Sequence, residues 1–198
     1  MRPKAAHNFM LAVAYYCIHL ARPRAVRRCF SMIINEVGEL LMQYSEPLGL
    51  LRTNWAAGRD MSQFRGALTR AQAVAQRLGV RRCLIELDAL PDISAYDQAW
   101  LATQWIPNSL HLSLQQVVIV LSPRRIYNNQ AVEGLLLVAR PFIKFDVQFF
   151  SQPMAGLRWL TDYSPLVPEL LHEWDTAFGP TPPPPGGVQE PRAYYDCP

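Results

Sequence analysis

Strand-like and helix-like stretches take turns along the middle of this chain, and that alternation limits the fold more than any other feature. It opens with two β-type runs, Gly38–Tyr44 (GELLMQY) and Leu48–Trp55 (LGLLRTNW), joined by Ser45, Glu46 and Pro47. A short polar connection containing Pro suits a hairpin. Asp60 offers an N-cap to a helix over about Met61–Leu78, where Phe64, Leu68, Ala71, Val74, Ala75 and Leu78 recur at helical spacing on one apolar face. Gly79 stands where a helix-ending residue belongs. Arg82–Leu90 (RCLIELDAL) is nearly continuous in its apolar residues, as in a strand covered on both faces. Beyond Pro91 and Asp92, Ser94 to Asp97 make a capping-box-like start, with Asp in place of the usual Glu. The helix it begins runs towards Trp105, and Pro107 is expected to end or kink it.

Gln116–Leu121 (QVVIVL) is a β-branched and therefore central strand, stopped by Ser122 and Pro123. A helix over about Asn129–Ala139, a last strand Phe145–Phe150 and a last helix Pro153–Thr161 follow, with a short helical turn expected within Pro165–Phe178. The order is β-β-α-β-α-β-α-β-α. Alternation over these connection lengths requires parallel neighbours joined by right-handed crossovers. The expected fold class is α/β: a mixed, mostly parallel sheet of about five strands opening with a β-hairpin, with about four helices.

Charge divides the chain in the same places. Residues 1–31 carry six basic residues and no acid, residues 32–163 carry 12 basic and 11 acidic, and residues 164–198 carry one basic and five acidic. The overall charge of +3 is therefore a property of the first segment, and the central unit gives no electrostatic reason to expect nucleic acid. Residues 1–31 read as a poorly ordered basic extension. Their apolar run Phe9–Ala21 is shorter than the about 20 residues a membrane span needs. No small-x-small cleavage site follows it, so no transmembrane span is expected and an unstructured extension is favoured over a signal peptide or membrane anchor. Residues 32–163 are the α/β domain. Residues 164–198 are a helical turn and a Pro-rich tail, in which Pro182–Pro185 favours polyproline II.

Catalytic and metal motifs are absent. Cys17, Cys29, Cys83 and Cys197 form no C-x-x-C pair, and His7, His19, His111 and His172 are scattered, so neither a metal nor a cofactor is expected. Cys83, inside a strand, reads as a buried free thiol, and the cysteine usage suits a reduced, cytoplasmic protein. Phosphate loops and nucleophile elbows are also missing. Asp88 and Asp92 flank a strand end, where α/β sheets often bind ligands, and paired carboxylates there suit acid–base work, while His111 reads as a lone loop histidine. Turn formation and helix capping are the favoured explanation of the two acids. Arg124 and Arg125, with Tyr127, Asn128 and Asn129, follow the central strand on the same sheet edge if the strands are parallel. They are the best candidates for contacting an anion or an acidic partner.

The order of elements, with Trp55 closing the hairpin, Leu84–Asp88 as an apolar strand ending in an Asp-containing turn, and Trp100 and Trp105 on the next helix, resembles the STAS fold. It is similar to small bacterial SpoIIAA-like (STAS/SEC14-like) proteins over about Met32–Tyr163. The resemblance implies a non-enzymatic regulatory domain that binds a protein partner, in the manner of anti-sigma-factor antagonists. In that group a phosphorylatable Ser begins the second helix within an Asp-Ser-Ser-Gly-like motif. Here the matching place reads Asp92, Ile93, Ser94, Ala95, Tyr96, so a Ser is present while the double Ser and the Gly are not. Ser94 is accordingly either a phosphorylation site or simply the helix cap. The expected binding residues are Asp88, Asp92, Ser94, Arg124, Arg125 and Tyr127. The alternative within the same fold is a small-molecule or lipid-binding module, which needs an apolar pocket beneath the Ser94 and Arg124 loops.

Overall fold

The computed structural model describes residues 31–179. The basic stretch of residues 1–30 and the Pro-rich residues 180–198, with Cys17, Cys29 and Cys197, lie outside the described residues. Six strands form one sheet in the order in which they occur: β1 Ser31–Ile34, β2 Leu40–Ser45, β3 Leu50–Trp55, β4 Arg82–Glu86, β5 Gln116–Val120 and β6 Asp146–Phe150. β1, β2 and β3 pair antiparallel, and β3 to β6 pair parallel. The sheet thus gains one strand, β1, over the expected five, added at the hairpin's outer edge.

Each crossover moves one place in the same direction, so right-handed connections put every crossover helix on one face. These are α1 Phe64–Arg77, α2 Ala95–Trp100 with its continuation, and α4 Ile126–Ala139. Leu51, Cys83, Val117 and Val147 share one cross-strand row, and Thr53, Ile85, Ile119 and Phe149 another. From those rows Leu51, Val117 and Ile119 belong to the core that Phe64, Ala67, Val74 and Leu101 close from the helix side. The alternate rows, carrying Leu84, Val118 and Val120, face α5 Pro153–Thr161 and α6 Val167–Phe178. Burial on both faces is why β4 and β5 lack polar–apolar alternation.

Two boundaries differ from expectation for local reasons, and a third agrees with it. Asp60 does not cap α1. Its Oδ1 accepts the Ser62 N–H at 2.8 Å in a preceding turn, and Gln63 occupies the cap position. Gly79, at φ +60°, does close the helix, in the left-handed region where a side chain is disfavoured. Pro107 does not stop the second helix. A π-helical turn, Leu101–Trp105, follows α2 and feeds the short helix α3 Ile106–Ser109, with Pro107 in its first turn, where an N–H has no acceptor within that helix to lose.

The short turn expected within Pro165–Phe178 is instead the twelve-residue α6. Its Trp174 is buried beneath the Arg52 guanidinium at 3.8 Å, and Gln43 Nε2 donates to the Leu170 carbonyl at 2.9 Å. The packed unit therefore runs through α6, past the expected boundary at residue 163. Among the described residues no helix is long and apolar enough to cross a membrane.

Candidate functional site

Parallel strands β4 and β5 bring their carboxyl ends to one edge of the sheet, and the loops that leave them meet there. Leu87 donates its N–H to the Val120 carbonyl at 3.3 Å, and Arg125 Nε donates to the Asp88 carbonyl at 3.1 Å. The main fastener is Asn128, in the first turn of α4 and wholly buried. Its Oδ1 accepts the Ile93 N–H at 2.9 Å, and its Nδ2 donates to the carbonyls of Leu90 at 3.1 Å and Pro91 at 3.0 Å. Asn129 Nδ2 closes the second loop on the Ser122 carbonyl at 2.9 Å. A buried amide serving three backbone groups holds the β4 loop in one conformation, since losing it would orphan all of them.

The candidate residues fall on this edge as follows. Asp88 and Asp92 are exposed, on the loop that Asn128 holds. Ser94 is the N-cap of α2. Its Oγ accepts the Asp97 N–H at 3.1 Å and donates to Asp97 Oδ2 at 2.6 Å. Asp97 Oδ1 in turn accepts Arg65 Nε at 2.8 Å. Burial raises the Asp97 carboxyl, but the Ser94 hydrogen bond and the Arg65 pair outweigh it, so its pKa lies below the usual value. The Ser94 hydroxyl is thus fully used in capping, and a phosphate on it would meet the Asp97 carboxylate. Arg124 is exposed, Arg125 is spent on the Asp88 carbonyl, and the Tyr127 hydroxyl accepts Gln98 Nε2 at 3.2 Å. Tyr96, Ile126 and Tyr127 expose large side chains around them.

His111 is not part of this group. It follows α3 and precedes β5, at the amino end of the parallel strands, whereas Asp88 and Asp92 lie beyond the carboxyl end of β4. The sheet separates the histidine from both acids, so the three do not form one site. Among the described residues no group of three or more His, Cys, Asp or Glu side chains could hold a metal ion.

Directly under the clasped loop lies a cavity of about 220 Å³ between the sheet and its crossover helices. Leu51, Cys83, Ile85 and Ile119 line it from the sheet, Leu68 and Ala71 from α1, and Trp105 from the π-helical turn. Leu90 and Ile93, on either side of the backbone that Asn128 holds, also line it. Its surface is almost entirely apolar. Cys83 is only half-buried, yet the part of it that remains accessible faces this apolar space, and burial pushes its thiol up to about 12. A Cys in that setting is protonated and inert.

Asn128 stood in the expected Arg124–Asn129 cluster, but as a contact for a partner and not as the fastener of the β4 loop. The buried pair of Arg52 on β3 and Glu86 on β4, with Nε to Oε1 at 2.6 Å, on the opposite face of the sheet, has no forerunner among the expected residues. Burial pushes the Glu86 carboxyl above the usual carboxylate range, and Arg52 offsets part of that rise. A charged residue inside an apolar strand run, Arg52 after Leu50 and Leu51 and Glu86 after Leu84 and Ile85, was the one available signal. Comparison with protein-family models, with curated proteins and with solved structures finds no match for this chain.

Proposed function

We propose that the chain is a non-enzymatic regulatory module of the STAS-like, SpoIIAA-like kind that takes a small apolar molecule between its sheet and its helices. The cavity carries this. Left empty, an apolar void of about 220 Å³ would cost roughly 5 kcal/mol in lost packing, comparable with a domain's whole stability. Water does not fill such a space well, because an apolar wall offers it few hydrogen-bonding partners. A smaller apolar cavity already accepts benzene, so the fitting ligand is a neutral, largely hydrocarbon molecule of on the order of ten carbon atoms. A π-helical turn along one wall supports the same reading, since such turns collect at functional sites.

A second reading, binding of a protein partner, is favoured by the exposed group of Tyr96, Arg124, Ile126 and Tyr127 over rigid loops. Tyrosine and arginine on a fixed backbone are typical of binding surfaces. The two readings are compatible, because Leu90 and Ile93 touch the cavity from the loop that carries this surface. Occupancy would then be felt where a partner docks.

The test is to purify the full chain without detergent, extract it with organic solvent and analyse the extract by mass spectrometry. A neutral hydrocarbon-rich compound, near one per chain and absent from an extract of the Ala71→Leu variant, is the expected result. An empty extract from several growth conditions would count against the ligand.

A further inference from the structure

We propose that two copies of this chain associate through the outer edge of β6 and the exposed face of α4, about a two-fold axis. β6 is the last strand of the sheet, and among the described residues nothing pairs with its outer edge. Its sequence, DVQFF, contains neither the Pro nor the Lys that commonly protects an open edge. Beside it, α4 is a surface helix of fourteen residues with one charged side chain, Glu133. Leu137 is 72% exposed, Val138 68% and, just beyond the helix, Phe142 65%. An apolar stripe on the solvent side of a helix, continuous with an unpaired strand, marks an interaction surface.

The charges say what covers it. Glu133 and Arg140 are exposed, seven residues apart, and both border the groove between α4 and β6, with Leu136 and Leu137 between them. Two copies of α4 laid antiparallel about a point between those leucines set Glu133 of each against Arg140 of the other. The same axis passes beside Gln148. It pairs β6 with β6 antiparallel, Val147 opposite Phe149, and joins the two six-stranded sheets edge to edge. A patch whose acid and base are spaced symmetrically about its apolar centre is self-complementary, which is what an isologous dimer requires. A foreign strand would use the edge but would have no need of that symmetry.

Sedimentation of the full 198-residue chain across a micromolar concentration series tests it. The expected result is a dimer. Glu133→Arg and Arg140→Glu each weaken it at least about tenfold, and the double variant restores it. Leu137→Lys, at an exposed position, dissociates it while circular dichroism stays unchanged. A monomer throughout overturns the proposal, whether the groove is bare or covered by residues 1–30 or another protein. So does a dimer indifferent to both charge reversals, or a double variant no better than the single ones.

Discussion

Ile93 donates its backbone N–H at 2.9 Å to the side-chain oxygen of Asn128, a fully buried residue thirty-five positions later. The bond ties the start of α4 to the loop that roofs the cavity and carries Ser94. Everything exposed on the carboxyl edge is therefore presented by a backbone that cannot drift far from the apolar space beneath it.

Asn128→Ala removes that bond and both bonds to the Leu90 and Pro91 carbonyls. Stability should fall by about 2–4 kcal/mol, since two buried backbone groups and one half-buried one lose their partner. Hydrogen exchange read residue by residue should show the Ile93 amide losing protection more than amides in β5.

Gly156 lets α5 lie directly on the sheet. A Cβ there would stand 2.6 Å from Val118 Cγ1 and 3.2 Å from Leu84 Cδ1, both in the middle of central strands. Gly156→Ala should therefore destabilise by about 1–3 kcal/mol in urea unfolding, although Ala is the better helix former. Gly134→Ala, where a Cβ meets nothing within 4 Å, is the control and should be neutral or stabilising.

The Arg52–Glu86 pair makes stability depend on pH. Burial raises the Glu86 pKa in the folded state, so its contribution is fully present below the unfolded value of about 4.3 and is lost as pH rises through the folded value. Glu86→Gln should flatten that fall. Denaturant midpoints of the original chain and the variant, measured from acid to neutral pH, check this.

Cys83 should resist alkylation in the folded chain. Its thiol is held at about 12 and its accessible surface faces the cavity. Peptide mapping after iodoacetamide treatment should find Cys83 unmodified until denaturant is added.

Much of the fold was legible because alternation and periodicity are local properties. The hairpin, the periodicity of α1, the Ser94 cap and the last helix before Thr161 each declare themselves within a dozen residues. β1 did not, since Ser31–Ile34 is four residues at an edge with no alternation to read. α6 was under-read because Pro165 and Pro168 suggest a broken segment, whereas Pro168 sits in the first turn, where it is tolerated. The site was legible only as an edge: parallel strands had to bring the Asp88 and Arg124 loops together. Asn128 and the Arg52–Glu86 pair act across more than thirty residues, so nothing in their own neighbourhood announces what they bind.

The most direct measurement is titration of the purified full chain with naphthalene, followed by thermal unfolding and calorimetry, beside the Ala71→Leu variant. Ala71 lines the cavity, so a larger side chain there takes up the space a ligand would use. Saturable binding with a rise in melting temperature, together with a variant that is more stable and no longer binds, is the expected result. A chain that shows no saturable binding, or a variant that binds as well as the original, would contradict it.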